Sequence, residues 1–129
     1  PEQMRLYCGR EHPLFGRARV GLDDLRAVEF AGLAFHSPNM EVTRRFGLKS
    51  SAVVDAQEAV ALLVRSGRYV GFLPEHYAAL FEAQGEMRRL GPAEVGYVVD
   101  FVAVTRGPSS TSRLTQTFLQ CLLAAHAPA

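Results

Sequence analysis

The chain has 129 residues, a length typical of one domain. Its composition, 48% hydrophobic and 21% charged, is that of an ordinary folded domain and excludes disordered and fibrous classes. The 14 basic and 13 acidic residues give a net charge of +1, which excludes the concentrated basic face of a nucleic-acid-binding domain.

No apolar run reaches the roughly 20 residues that a transmembrane helix needs, so no membrane partner is expected. The first residues form no secretory signal, which predicts a cytoplasmic protein. Cys8 and Cys121 lie near opposite ends of the chain. We expect both to be buried, reduced thiols rather than a disulfide pair.

The first half of the chain alternates between strand-like and helical patterns. Asp23 and Asp24 suit the first turn of a short helix. Ser37 and Pro38 predict the N-cap and first residue of another helix, which Gly47 ends. We expect strands at 5–8 and 30–35, and helices at 22–27 and 39–46.

The patterns are clearest in the second half. A short strand over 51–54, expected to be buried, precedes Asp55-Ala56-Gln57-Glu58, whose spacing resembles a capping box with Asp55 as the N-cap. The following helix ends at Gly67. The remaining predicted elements are a strand at 69–73, a helix from Pro74 to Ala83, a long strand at 95–104 and an amphipathic helix at 114–125.

Short apolar strands that alternate with helices predict an α/β domain with a parallel or mixed sheet covered by helices. Ligands of such sheets bind at the carboxyl ends of strands, where the next helix begins. Three junctions of this kind lie at 36–39, 55–56 and 73–76. Helix N-termini carry unpaired N–H groups and a positive dipole end, so these junctions suit a small anion.

The sequence contains no recognisable catalytic machinery. It lacks metal-ligand spacing, a phosphate-binding loop, a dinucleotide motif and a nucleophile elbow, so we expect no cofactor. Ser37, Asp55 and either His36 or His76 would supply the residue types of a catalytic triad, but helix capping explains Ser37 and Asp55 more simply. His76 fits a site residue and an exposed first-turn histidine equally well. The residues favour a binding module over an enzyme.

Five stretches resemble, in order, the effector-binding domain of LysR-type transcriptional regulators. They are LYCGREHPLF at 6–15, LDDLR at 22–26, VDAQEA at 54–59, LVRSG at 63–67 and GFLPEHYA at 71–78. Together the five stretches, in this order and at family-like spacing, span nearly the whole chain. The combination is more specific to the family than any single stretch is.

The resemblance implies a fold like that of type 2 periplasmic binding proteins, in which two lobes enclose a small-molecule effector. Residues 6–90 would form the second lobe, and 95–129 would supply a return strand and the C-terminal helix of the first lobe. The family's winged helix-turn-helix has no counterpart here, so DNA binding would belong to a segment absent from this chain. By position, the effector-facing residues would be Ser37, Asn39, Asp55, Ala56, Pro74 and His76.

The last helix raises the question of oligomerisation. Its apolar stripe consists of Leu114, Phe118, Cys121, Leu122 and Ala125, and the resemblance implies that this stripe packs on the first lobe. With most of that lobe absent, the stripe must fold back on the sheet, contact a second copy or stay exposed. We expect a homodimer formed through this helix or the strand at 95–104. A solute-binding protein of the same fold and a small α/β enzyme remain as alternatives.

Overall fold

The computed structural model describes residues 1–35, 37–92, 94–107 and 112–127. They form a mixed sheet of six strands flanked by helices, as the sequence predicts. The strands are β1 (Glu2–Gly9), β2 (Glu29–Leu33), β3 (Ser50–Val54), β4 (Tyr69–Pro74), β5 (Met87–Arg89) and β6 (Gly96–Val99). The helices are α1 (Leu22–Arg26), α2 (Pro38–Phe46), α3 (Gln57–Arg65), α4 (Glu75–Ala83) and α5 (Arg113–Ala125).

The strand order is β3-β2-β4-β1-β5, and β6 also pairs with β1. Strand β2 runs parallel to β3 and β4, whereas β1 runs antiparallel to β4, β5 and β6. Strands β5 and β6 share one side of β1: β5 pairs with Tyr7–Gly9 and β6 with Glu2–Arg5. The first strand therefore brings its amino end to the edge where β2, β3 and β4 finish.

A separate apolar cluster covers each face of the sheet. Leu6, Phe30 and Phe72 belong to the cluster on one face, which also includes residues of α1 and α2. Tyr7 and Leu73 belong to the cluster on the other face, which includes residues of α3 and α4. Because neighbouring strand residues point to opposite faces, an apolar run such as Val70–Leu73 fits a strand buried on both sides.

Three sequence predictions about strands are wrong in detail. The strand predicted as buried at 51–54 is the exposed edge strand β3, in which Val53 is 57% exposed. The strand predicted at 95–104 is regular only over Gly96–Val99, because its partner β1 begins at Glu2, opposite Val99. Strand β5 was not predicted, since Arg88 and Arg89 mask its strand character.

Helix α5 forms where predicted, but none of its residues is buried. Leu114 is 80% exposed and Phe118 63% exposed, so the stripe does not fold back on the sheet. Cys121, expected to be buried, lies exposed on this helix, whereas Cys8 is buried in β1 as expected. None of the helices among the described residues has both the length and the apolar character needed to cross a membrane.

Candidate functional site

All six predicted site residues lie at or next to helix starts along one edge of the sheet, where β2, β3 and β4 end. We call this edge of the sheet the carboxyl edge. Ser37 and Asn39 lie at the start of α2, Asp55 and Ala56 between β3 and α3, and Pro74 and His76 between β4 and α4. The side chains of Asp55, Ala56 and His76 are exposed, Ser37 is half-buried, and Asn39 and Pro74 are buried. His36, the other triad candidate, lies outside the described residues.

The prediction of two N-cap residues is confirmed for Ser37 and wrong for Asp55, and neither residue caps a helix through its side chain. Ser37 is the N-cap residue of α2 by its extended backbone, but its side chain makes no capping hydrogen bond. The N-cap of α3 is Ala56, one residue after Asp55, so the capping box does not form. Instead, the Gln57 side chain donates to the Phe72 carbonyl and ties α3 to β4. Capping therefore does not account for Ser37 and Asp55.

The start of α2 contains a buried hydroxyl without a partner. Among the described residues, Ser37 Oγ is buried and has no hydrogen-bond partner, whereas the Asn39 side chain forms a hydrogen bond with Tyr97. Asn39 is 2% exposed, and its Oδ1 accepts a hydrogen bond from Thr43 Oγ1 at 3.1 Å. Buried polar atoms are nearly always paired in native proteins, so the Ser37 hydroxyl marks a place that a ligand or water can complete.

Two further residues, Glu2 and Tyr97, join the site through strands that sequence reasoning did not place there. His76 Nδ1 lies 3.4 Å from Glu2 Oε1, at the amino end of β1. Burial raises the pKa of Tyr97, in β6, to about 12; a hydrogen bond from the Asn39 side chain opposes this rise and the Glu2 carboxylate adds to it. Glu2 and Tyr97 thus connect Asn39 on α2 with His76 on α4. The antiparallel pairing of β6 with β1 brings these two residues to the site. The alternation of strands and helices in the sequence does not reveal that pairing.

A shallow cavity of about 280 Å³ lies between α2 and the β2–β3 edge. Its polar lining includes Asn39, Thr43, Arg44 and Ser50, and its apolar lining includes Met40. The described residues contain no group of three His, Cys, Asp or Glu side chains arranged to hold a metal ion. Asn39 is the one predicted site residue in the lining of this cavity, so the cavity does not bring Asp55 and His76 together.

Comparison with known proteins identifies the family. The model of the LysR substrate binding domain matches residues 1–127. The chain is 32% identical over 123 residues to the HTH-type transcriptional activator BauR of Pseudomonas aeruginosa, covering 94% of this chain and 40% of BauR. It therefore spans less than half the length of this curated relative.

Solved structures share the fold at lower sequence identity. The regulatory domain of CcmR from Synechocystis PCC6803, in complex with 2-PG, matches with a TM-score of 0.69 and 20% identity, over 99% of this chain and 65% of that one. The bromide-bound regulatory domain of HypT from Salmonella typhimurium matches with a TM-score of 0.62 and 18% identity, over 96% of this chain and 61% of that one. These likenesses confirm the periplasmic-binding-protein-like α/β fold class.

Membership of the family decides between the three functional classes that the sequence left open: a domain of a transcription regulator, a solute-binding protein and a small α/β enzyme. The matching proteins are transcription regulators and their regulatory domains, not enzymes or solute-binding proteins. The resemblance seen in the five sequence stretches is confirmed by a match that reaches from residue 1 to residue 127. This chain belongs to the LysR substrate-binding domain family, the effector-binding domains of LysR-type transcription regulators.

Proposed function

We propose that this domain senses a small anionic effector at the carboxyl edge of its sheet, through Ser37, Asn39, Asp55, Ala56, Pro74 and His76. The observation that carries the proposal is the buried Ser37 hydroxyl at the start of α2, whose Oγ has no hydrogen-bond partner among the described residues. Helices α2, α3 and α4 all begin at this edge, and their unpaired N–H groups favour negative charge. The bromide bound by HypT and the 2-PG complex of CcmR support a ligand-binding role for the shared fold.

An NMR titration of the labelled chain with sodium bromide and a panel of small carboxylates tests this proposal. We expect the largest amide shifts at 39–41, 55–58 and 75–77. Ser37→Ala and Asn39→Ala each remove one donor, so each should weaken binding by about fivefold or more, equivalent to about 1 kcal/mol per hydrogen bond. Ser66→Ala, at the opposite end of α3, is the matched control. Shifts centred elsewhere, or equal effects of all three substitutions, would contradict the proposal.

We also propose that residues 6–90 correspond to the second lobe of a two-lobed domain, and 95–129 to a return strand and the last helix of the first. The chain covers 65% of the CcmR domain, and in the described residues α5 has no buried face. The cleft would then be completed by a lobe outside this sequence, in a regulator that works on DNA in the cytoplasm.

The proposed regulator would bind DNA through a segment outside this chain. BauR is an HTH-type activator, and this chain matches 40% of it. The net charge of +1 gives the chain little overall attraction for the phosphates of duplex DNA. Fluorescence anisotropy at physiological salt should show no saturable, sequence-selective binding by the 129-residue chain. Selective binding would place the DNA contact within this domain.

Helix α5 supports a proposal of homodimerisation, with the segment 95–104 as the neighbouring surface. Burying one Leu or Phe side chain stabilises a complex by roughly 1.5–3 kcal/mol, and α5 exposes several. Sedimentation over a dilution series should show a dimer that Phe118→Glu dissociates. Gln120→Glu, outside the apolar stripe on the same helix, should leave it intact. A monomer at every concentration would contradict this contact.

A further inference from the structure

A second cavity lies between β5 and the segment that precedes α1. Its volume is about 450 Å³, which falls in the range of small-molecule sites. Strand β5 pairs with Tyr7–Gly9 of β1, whereas the carboxyl edge meets β1 at Glu2. None of the six predicted site residues is among the described residues that line this cavity. The cavity is therefore separate from the proposed effector site.

The lining of this cavity combines positive charge with apolar surface. Three arginines contribute to it: Arg19, Arg88 and Arg89. The apolar side chains are those of Ala18, Val20, Leu90 and Pro92. In sites for small organic ligands, apolar side chains hold the body of the ligand and a few polar groups fix its orientation. The composition of the lining therefore suits an organic anion.

The carboxylates near the cavity are engaged with other groups. Glu75 Oε1 lies 3.5 Å from Arg89 Nη1 and balances the charge of that arginine. Glu82 Oε1 accepts a hydrogen bond from the Arg89 backbone N–H at 3.2 Å. Asp24, in the first turn of α1, forms an ion pair with Arg17. These three carboxylates therefore do not neutralise the other two arginines of the cavity.

Arg88 and Arg19 carry the unbalanced positive charge. Arg88 is half-buried, its guanidinium donates to the Phe15 carbonyl, and it forms no ion pair with a described carboxylate. Its cross-strand neighbour Cys8 is neutral near pH 7, because burial raises the pKa of that thiol to about 11. Arg19 is exposed and likewise forms no ion pair among the described residues. Two unbalanced guanidinium groups at one cavity are complementary to a ligand with two negative charges.

We propose that this cavity binds a small organic dianion, either a phosphate monoester or a dicarboxylate, between Arg19 and Arg88. The Arg88 guanidinium has further N–H groups beyond the one that binds Phe15, and these would donate to the ligand oxygens. Arg19 would approach the charged groups from the segment before α1, and the apolar body would lie against Val20 and Pro92. This second ligand site goes beyond the proposed effector function and uses a different surface of the domain.

An NMR titration of the labelled 129-residue chain at pH 8 with phenyl phosphate and with phthalate tests the proposal. Benzoate is the matched ligand with the same ring and one charge. We expect the largest amide shifts at 18–21 and 88–91, and at least one dianion should bind about tenfold or more tightly than benzoate. Tighter binding of phenyl phosphate would identify a phosphate ester as the ligand class, and tighter binding of phthalate a dicarboxylate. Shifts centred elsewhere, or binding of benzoate as tight as that of both dianions, would overturn the proposal.

Substitutions of single arginines test the contacts. Arg19→Gln should weaken binding of the preferred dianion by about fivefold or more, and Arg88→Lys, which keeps the charge but loses the planar fork, by about threefold. Arg68→Gln removes an exposed arginine outside the cavity and should change binding by less than about twofold. Circular dichroism verifies that each variant is folded. Equal effects of Arg19→Gln and Arg68→Gln would contradict the proposal. Ser37→Ala should weaken binding at the carboxyl edge alone, so the two ligand sites fail separately.

Discussion

Helices α2 and α5 are both amphipathic, and both begin after a serine, yet only α2 is packed. Helix α2 buries Asn39 and Thr43, and its Val42 and Phe46 pack on the core, whereas α5 buries no residue. The strands on either side of α2, β2 and β3, pair with each other and fix both of its ends. Helix α5 follows residues 100–107, which have no regular secondary structure. An apolar stripe therefore predicts a helix that needs a partner, but it does not identify the partner.

The two serines behave differently for a related reason. Ser112 Oγ accepts a hydrogen bond from the Thr115 N–H at 3.1 Å, a local cap on a helix without tertiary support. Ser37 forms no such cap, because α2 is held by packing, and its buried hydroxyl remains without a partner among the described residues. A serine at a helix start thus caps the exposed helix, whereas at the packed helix its hydroxyl makes no capping hydrogen bond.

The largest expected effect is a difference in the free energy of unfolding between substitutions in the packed core and on the exposed helix α5. Phe72 is fully buried, and its ring lies 5.7 Å from that of Phe30 and 5.3 Å from that of Tyr97. Phe72→Ala should lower the free energy of unfolding by about 3–5 kcal/mol. Phe118→Ala on α5 should change it by less than about 0.5 kcal/mol in the monomer. Urea unfolding at low protein concentration measures both; equal losses would mean that α5 is packed in solution.

High pH should distinguish the two cysteines. Burial raises the pKa of the Cys8 thiol from 9.0 to about 11, with Arg88 partly opposing it. The thiol pKa is therefore higher in the folded chain than in the unfolded chain. The resulting contribution to the free energy of unfolding is complete below pH 9 and is lost as the pH rises through 11, a change of about 2–3 kcal/mol. Cys8→Ala should remove that part of the alkaline destabilisation. Cys121→Ala, at an exposed position, should not; urea midpoints from pH 8 to 11 report the difference.

Two glycines extend the comparison to backbone packing. A Cβ at Gly71 would lie 2.7 Å from Val60 Cγ1 and 3.1 Å from Val64 Cγ2, whereas a Cβ at Gly107 would meet nothing within 4 Å. Gly71→Ala should therefore destabilise the domain by about 1–3 kcal/mol through overpacking between β4 and α3. Gly107→Ala should stay within about 0.5 kcal/mol of the wild type in thermal unfolding. A neutral Gly71→Ala would show that α3 can shift on the sheet.

Most elements of the fold were predictable because their signals are local. Gly47 adopts φ +69° where the sequence predicts the end of α2, and the apolar run of β4 fits a strand buried on both faces. The position of β3 at the edge was not predictable, because a short apolar run does not show how many neighbours a strand has. The length of β6 depends on where β1 begins, a contact between residues almost a hundred positions apart.

The candidate site was predictable in part for the same reason. The rule about strand ends placed Ser37, Asp55 and His76 at one edge, because each follows its own strand directly. Glu2 and Tyr97 were missed, since the rule applies to parallel strands and these residues arrive on β1, which is antiparallel, and on its partner β6. Whether a serine caps its helix or faces a ligand depends on tertiary packing, which sequence spacing does not contain.

The smallest expected effect concerns two histidines, one in each region. His12 is 4% exposed, its Nδ1 accepts the Leu14 N–H at 3.1 Å, and burial lowers its pKa below the ordinary 6.5. The His12 side chain therefore binds a proton more readily in the unfolded chain. Its contribution to the free energy of unfolding is complete above pH 6.5 and falls as the pH drops below that value. Protonation of Nδ1 would also replace an acceptor with a donor opposite the Leu14 N–H. His12→Asn, which retains an acceptor, should flatten the decline in urea midpoint between pH 7 and 5, and His126→Asn on exposed α5 should preserve it. An unchanged decline in His12→Asn would assign the acid sensitivity to other groups.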